Sequence, residues 1–121
     1  MTLRSQALGR SGERRAARFL EGLGWRLLDR GWRSRYGEID IVGLDGTTLV
    51  FVEVKTRSSA RFGTPEAAVG QAKRARLVRS ALHYIEAKGD GGRPLRFDVV
   101  ALEGDELRHI PDAFQAEGYT R

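Results

Sequence analysis

The sequence contains no cysteine, only three prolines and no long apolar run among its 121 residues. Without cysteine there is no disulfide framework and no thiolate metal site. No run is long enough to span a bilayer, and the N-terminus lacks the apolar segment of a signal peptide. We therefore expect no membrane association, a cytoplasmic location, and one compact domain over residues 1–121, with a loosely ordered tail at 112–121.

The charge is unevenly distributed, and acids outnumber basic residues only in the segment 36–70. The net charge is +5 and the pI is about 10.2. Residues 1–35 hold nine arginines and three acids, whereas residues 36–70 hold three basic residues and five acids. A polyanion held by basic flanks, with a metal at the acidic centre, would explain this layout. Alternatively, an arginine-rich composition makes any small protein basic.

Residues 37–55 are typical of a β-hairpin. Two β-branched runs flank Asp45-Gly46, a strong hairpin signal. A loop centred there pairs Leu44 with Thr47, and it also pairs two further positions, Asp40 with Phe51 and Glu38 with Glu53. Alternation then predicts one polar face and one core face. The polar face carries Glu38, Asp40, Phe51, Glu53 and Lys55; the core face carries Ile39, Ile41, Val50, Val52 and Val54.

Three carboxylates and one lysine thus converge on the polar face. Opposed like charges destabilise a sheet by up to about 1 kcal/mol per pair. Carboxylates gathered against that cost suggest a divalent cation, and oxygen ligands suit Mg²⁺ or Mn²⁺. The alternative is the charged outer face of an ordinary antiparallel hairpin, and the spacing alone leaves both open.

The remaining segments complete an α-β-β-β-α-β-β order. A first helix is predicted over residues 8–23 and a strand over 25–33, with Gly31 at a bulge. After a polar loop at 56–63, a second helix is predicted over 64–88 with Thr64 as N-cap. Its predicted buried stripe is Ala68, Ala72, Ala75, Val78, Leu82 and Ile85. Strands follow at 95–102 and 107–110, where Pro111 ends the last one.

Several charged side chains outside the hairpin are candidates for binding. Glu13 lies beside the apolar stripe of the first helix and could reach a site, or it is an ordinary surface glutamate. Gln71 and Lys73 lie near the start of the second helix. Side chains that could contact phosphates comprise Arg14, Arg57, Arg61, Lys73, Arg76 and Ser80.

Asp40 followed by Glu53-Val54-Lys55 on the next strand resembles the PD-(D/E)xK nuclease superfamily, whose fold is restriction-endonuclease-like. The resemblance extends along the chain to one family. Gly12-Glu13, residues 37–40, residues 51–57 and Phe62-Gly63 are similar to the YraN family, small bacterial proteins that are similar to archaeal Holliday-junction resolvases. One departure is Ile39, which stands where the superfamily has proline; that proline is not a ligand.

The resemblance implies roles for individual residues. Asp40 and Glu53 would be metal ligands, with the Val54 carbonyl and with Glu13 directly or through water. Lys55 would orient or activate the attacking water. Lys73 would act on phosphate or support the site, with Gln71 as a further candidate. Glu38 has no place in the superfamily pattern, so its role rests on the face argument.

The sequence therefore predicts a Mg²⁺- or Mn²⁺-dependent deoxyribonuclease that needs no organic cofactor. The resolvase likeness suggests branched DNA as substrate, and two symmetric cuts would require a homodimer. The alternative is a nucleic-acid-binding accessory protein that keeps the nuclease fold without turnover. A weaker alternative is a structural subunit whose basic faces bind protein.

Overall fold

A computed structural model describes the backbone at residues 3–57 and 70–116, and the side chains at 10–56 and 70–116. Two helices and five strands follow the predicted order. Their bounds are α1 Leu3–Gly22, β1 Arg26–Ser34, β2 Gly37–Asp45, β3 Thr48–Arg57, α2 Gln71–Lys88, β4 Leu95–Glu103 and β5 Glu106–Phe114. Neither of these two helices is apolar enough, over a sufficient length, to cross a membrane.

The five strands form one mixed sheet in the order β1-β2-β3-β4-β5. Neighbouring strands are antiparallel except β3 and β4, which are parallel. A parallel pair needs a long crossover connection, and α2 lies in that connection. The sheet order therefore brings the end of β3 close to the start of α2.

Both faces of the sheet are buried, which corrects the expectation of one core face. On the α1 side, Ile41, Val50 and Val52 of the sheet form a core with Ala16 and Leu20 of α1. A second core on the α2 side includes Ile39, Val42, Phe51, Phe97 and Tyr84. The predicted polar face thus carries an apolar core wherever α2 covers it, and its charged residues lie beyond that core.

The hairpin register differs from the predicted one by two residues. Ile41 pairs with Val52, and Asp45 pairs with Thr48, so the loop is Gly46-Thr47. Gly46 takes the positive φ of 63°, which glycine adopts without strain. Asp45 stays in the strand, where Arg96 Nη1 donates to its carboxylate at 2.9 Å. A shift of two preserves side-chain parity between the two strands, so Ile41 still shares a face with Val50 and Val52.

Helix α1 begins five residues earlier than predicted and ends one residue earlier, before Gly24 with φ 94°. Strand β1 is displaced by one residue, and its register shift lies between Leu27 and Asp29 instead of at Gly31.

Helix α2 begins at Gln71, so the prediction of a continuous helix from Thr64 is wrong. Gly70 is the extended N-cap, with φ −75° and ψ 173°. Thr64 and Ala68 lie outside the described residues. The buried stripe also differs: it consists of Leu77, Val78, Ser80, Ala81 and Tyr84, whereas Ala72 and Leu82 are exposed. Aromatic packing of Tyr84 against Phe51 and Trp32 sets this rotation of the helix.

Strand β5 continues through Pro111 to Phe114, beyond the predicted end at Ile110. Pro111 is tolerated because β5 is an edge strand and the register shifts opposite Asp98. Phe114 is buried and stacks on Phe97 at 5.0 Å between ring centroids. Residues 112–116 are therefore part of the packed structure, which corrects the expectation for that stretch; residues 117–121 lie outside the described part.

Candidate active site

Asp40 lies where the alternation of β2 is interrupted. Ile39 packs on the α2 side and Ile41 on the α1 side, although strict alternation would place both on one side. The backbone pairing of β2 with β3 ends at Ile41 and Val52. Beyond it, the Val54 N–H donates to Asp40 Oδ2 at 2.8 Å. This bond fixes the Asp40 carboxylate beside the strand that carries the Glu53-Val54-Lys55 motif.

Glu53 is a buried carboxylate between two lysines. It is 3% exposed. Lys73 Nζ of α2 lies 2.6 Å from Glu53 Oε1, and Lys55 Nζ lies 3.6 Å from the same oxygen. A buried charge needs such partners, since desolvation of an unpaired carboxylate is very costly. Lys73 therefore belongs to the site and compensates the charge of Glu53.

Helix α1 reaches the site because Gly12 allows a close approach. A Cβ at Gly12 would overlap Thr56 Oγ1 of β3, and it would meet Leu102 Cδ1 of β4 at 3.0 Å. Glycine at this position thus lets the helix lie directly on the sheet. The next residue, Glu13, then enters the site, with Arg30 Nε 3.8 Å from its Oε1.

Three carboxylates from two elements, α1 and β2, meet at this point. One oxygen each of Glu13, Glu38 and Asp40 lies within 4.8 Å of the other two. Hard cations take carboxylate oxygens as ligands, so this acidic triad has a donor set that suits Mg²⁺ or Mn²⁺. Glu53 is not in the triad. Glu38, which had the weakest sequence argument, lies in it.

Mutual repulsion and burial shift the titration of the acids. Burial, and then the charge of Glu53, raise the pKa of Asp40 to about 7, against the bond from Val54. Burial also raises the pKa of Glu13; the Arg30 guanidinium opposes this and Glu38 adds to it. A bound cation would relieve both effects because it favours the ionised carboxylates.

The two lysines shift in opposite directions. Burial and the neighbouring ammonium of Lys73 lower the pKa of Lys55, although Glu53 and Asp40 act against this. Burial also acts to lower the pKa of Lys73, but the hydrogen bond and charge of Glu53 outweigh it, so that pKa is raised. Lys73 is thus a permanent counter-charge, whereas Lys55 gives up its proton more readily.

A cavity of about 340 Å³ opens onto this cluster. We call it the acidic cavity; it is lined by Tyr36, Gly37, Glu38, Asp40, Glu53, Lys73, Arg76, Leu77 and Ser80. Lys73, Arg76 and Ser80 share the α2 face that lines it, as the helical spacing predicted. Neither Gln71 nor Arg14 lines it, and both are exposed. The Arg57 side chain and Arg61 lie outside the described residues.

The sequence did not indicate two arginines that form ion pairs with carboxylates of the triad. Besides the Arg30 contact to Glu13, Arg33 Nε lies 3.5 Å from Glu38 Oε2. Both arginines come from β1, where Arg33 pairs with Glu38 across the sheet. The antiparallel pairing of β1 with β2 would have indicated both arginines, because it places β1 side chains beside the carboxylates of β2.

An α-β-β-β-α-β-β chain with a five-stranded mixed sheet and a helix on each face has the restriction-endonuclease-like fold. Sequence comparison assigns the chain to one family of proteins. Residues 12–102 match Uncharacterised protein family UPF0102, and the chain belongs to this family, which is the YraN family.

Curated relatives carry the same family name. The UPF0102 protein of Symbiobacterium thermophilum is 50% identical over 117 residues, which cover 93% of this chain and 99% of that protein. The UPF0102 protein of Moorella thermoacetica is 48% identical and covers 91% and 92% of the two chains. That of Myxococcus xanthus is 46% identical and covers 89% of each.

Proposed function

We propose that this protein is a metal-dependent endonuclease that hydrolyses phosphodiester bonds in DNA in the cytoplasm. One observation carries the proposal: carboxylates from α1 and β2 converge within 4.8 Å beside a β3 carboxylate that is paired with two lysines. Burial, and then repulsion from Glu53, raise the pKa of Asp40 to about 7, and a purely structural role gives no reason to gather acids at that cost.

The donor set fits a hard divalent cation. Glu13 and Asp40 would hold it, with Glu53 and the Val54 carbonyl as the superfamily likeness implies, and with Glu38 as a further carboxylate of the triad. Bound Mg²⁺ or Mn²⁺ would polarise the scissile phosphate and acidify a water molecule.

The remaining groups orient the reactants. Lys55 Nζ would donate a hydrogen bond to the attacking water and keep it near the carboxylates. Lys73 and Arg76 line the cavity and would hold phosphate oxygens of the strand. Arg14, Arg57 and Arg61 would extend these contacts along the DNA backbone.

Branched DNA is the substrate that the resolvase likeness favours. Two symmetric cuts require two active sites related by a two-fold axis, so we propose a homodimer on such substrates. No small organic cofactor is needed for this hydrolysis.

A non-catalytic, DNA-binding accessory role is the second candidate. The 2.6 Å ion pair between Lys73 and Glu53 favours it, because an ammonium group already neutralises the carboxylate that would bind metal. In the nuclease, Lys73 would have to turn from Glu53 toward a phosphate when the metal enters. In the accessory protein, this ion pair would be permanent.

Cleavage of labelled four-way-junction, flap, single-stranded and duplex DNA, with Mg²⁺ or Mn²⁺, tests the nuclease. Wild type is compared with Glu53→Ala and Lys55→Ala, and with Lys88→Ala as a lysine control at the far end of α2. We expect metal-dependent cutting that the first two variants lose by at least about 100-fold while they still bind DNA. Salt-sensitive binding without cutting by wild type would establish the accessory role instead.

A further inference from the structure

A second cavity, of about 310 Å³, lies beside the acidic cavity and shares Tyr36 with it. Its lining consists of Arg35, Tyr36, Arg79, Leu82, His83 and Glu86. None of the residues proposed to hold metal or water lines it. The proposed hydrolysis therefore leaves this cavity without a role.

Flat and apolar groups form its walls. The Arg35 guanidinium lies 5.0 Å over the Tyr36 ring, which shows that this ring face accepts a planar group. The edge of His83 packs against Tyr36 and Trp32, with ring centroids 6.2 Å and 5.8 Å away. Its Nδ1 atom is buried and has no hydrogen-bond partner in the described structure, so packing alone fixes this ring. Leu82 adds an apolar wall and is 40% exposed.

The second cavity adjoins the acidic cavity, since Tyr36 lines both. On α2, the lining of the acidic cavity runs from Lys73 to Ser80 and that of the second cavity from Arg79 to Glu86, so their middles lie roughly six residues, or ~9 Å, apart along the helix. Successive nucleotides of a stacked strand are ~3.4 Å apart, so a short stretch of one strand spans both cavities. Arg79 adds a positive charge at the second cavity, where a flanking phosphate would pass.

We propose that this second cavity, the nucleobase pocket, accepts one unpaired base of a DNA strand whose neighbouring phosphate lies in the acidic cavity. Single-strand binding proteins stack bases on aromatic rings and arginine planes in this way. The base would take the place of the exposed Arg35 guanidinium over Tyr36. The location of the phosphate rests on the proposed function, whereas capture of the base does not require hydrolysis.

This assignment specifies the substrate class. A base inside an intact duplex is stacked and paired, and it enters such a pocket only after it has been extruded. DNA with an unpaired nucleotide beside the cut avoids that cost. The protein should therefore prefer single strands, flaps and open junction centres over continuous duplex.

Binding in EDTA tests the pocket without cleavage. Fluorescence anisotropy measures the affinity of a single strand and of a duplex hairpin of matched length for wild type, Tyr36→Leu, Tyr36→Phe and Leu82→Glu. Leu95→Glu is the matched control, since Leu95 is 38% exposed and the variant changes net charge equally. A single strand with one 2-aminopurine reports stacking through quenching of its fluorescence.

We expect Tyr36→Leu and Leu82→Glu to weaken single-strand binding about tenfold and to abolish the quenching. Tyr36→Phe retains the ring and should keep both. Leu95→Glu should shift single-strand and duplex affinities equally and slightly. Equal losses on duplex and single strand for Leu82→Glu, or unchanged quenching, would overturn the pocket. Absence of cleavage by wild type would refute the nuclease and leave this result intact.

Discussion

Asp40 is the residue whose ionisation the fold opposes most clearly. Its pKa is about 7 in the folded chain, because of burial and of Glu53, against an ordinary value of 3.8. The folded state therefore holds the proton to higher pH than the unfolded state does. Stability is lost progressively as pH rises from about 4 to 7, and the loss is complete above that range.

Asp40→Asn should accordingly stabilise the metal-free protein. The amide oxygen can still accept the Val54 N–H, while the charge is gone. We expect a gain on the order of 2 kcal/mol at pH 8 that vanishes near pH 4. Thermal unfolding in EDTA at pH 4, 6 and 8 measures it, with exposed Asp105→Asn as control.

Divalent metal should make wild type more stable than Asp40→Asn, the reverse of the order expected in EDTA. Mn²⁺ should raise the unfolding temperature of wild type at pH 8 but not that of Asp40→Asn, since a neutral amide is a poor ligand. If Asp40→Asn were no more stable than wild type in EDTA, the inference that ionisation of Asp40 destabilises the metal-free protein would be wrong.

At the scale of secondary-structure elements, substitution of Gly12 tests how closely α1 approaches the sheet. Gly12→Ala gains helix propensity, worth about 1 kcal/mol, but its Cβ overlaps Thr56 Oγ1. Overpacking costs ~1–3 kcal/mol, so we expect net destabilisation and a displaced Glu13 with weaker metal binding. Urea unfolding and Mn²⁺ titration measure the two effects.

The same helix supplies the control for this substitution. A Cβ at Gly22 meets no atom within 4 Å, so Gly22→Ala should be neutral or slightly stabilising. Adding Thr56→Ala to Gly12→Ala should restore part of the lost stability, because the colliding oxygen is removed. Equal effects of the two alanine substitutions would refute the close approach at Gly12.

Asp98 holds the junction of β4 and β5. Its fully buried carboxylate accepts from Arg96 at 2.9 Å, from the Asp112 N–H at 2.9 Å, and contacts His109 Nε2 at 2.7 Å. Burial acts to raise the pKa of Asp98, but these partners outweigh it, and the pKa is lowered. The network closes the register shift that lets β5 pass Pro111.

Asp98→Asn should destabilise the protein by ~2–4 kcal/mol, since Arg96 and His109 lose their charged partner. A lowered carboxyl pKa stabilises above about pH 4, and this contribution is lost as pH falls through the folded-state pKa. The gap between the variant and wild type should therefore narrow in acid. Urea titrations at pH 7 and pH 3 measure it, and a gap that widens in acid would disprove this assignment.

The order and type of the elements could be predicted because hydrophobic periodicity and turn residues are local. The register of the β2–β3 hairpin could not, since Arg96, 51 residues away, keeps Asp45 in the strand. The two-residue error preserved parity as far as Ile41, but the interruption of the alternation at Asp40 could not be predicted from the local pattern. The rotation of α2 depended on Tyr84 packing against two strands, which periodicity alone does not resolve.

The sequence indicated which residues come together in the candidate site better than it indicated which of them contact each other. Asp40, Glu53 and Lys55 lie close together, since the spacing of the motif places them on adjacent strands. The grouping of Glu13 with Glu38 and the partnership of Lys73 with Glu53 depend on how α1 and α2 lie on the sheet. Such contacts between distant segments leave no signal in local spacing.

At the scale of the whole molecule, net charge bears on the proposed binding of DNA. A net charge of +5 favours association with a polyanion, while the acidic triad repels it locally. If DNA binds as proposed, basic side chains around the acidic cavity would supply the phosphate contacts. Arg76 lines that cavity and is exposed, so its loss tests this balance without removing a buried partner.

Arg76→Ala should weaken DNA binding and lower the salt dependence of that binding. Loss of one phosphate contact reduces the slope of log K against log salt by about 0.9 on duplex and about 0.7 on single strands. Affinities in EDTA at four salt concentrations measure the slope. Arg93→Ala is the charge-matched control, since Arg93 pairs with Asp90 in the turn after α2. Equal slopes for Arg76→Ala and Arg93→Ala would place the DNA elsewhere, because a strand crossing the acidic cavity must pass the Arg76 guanidinium.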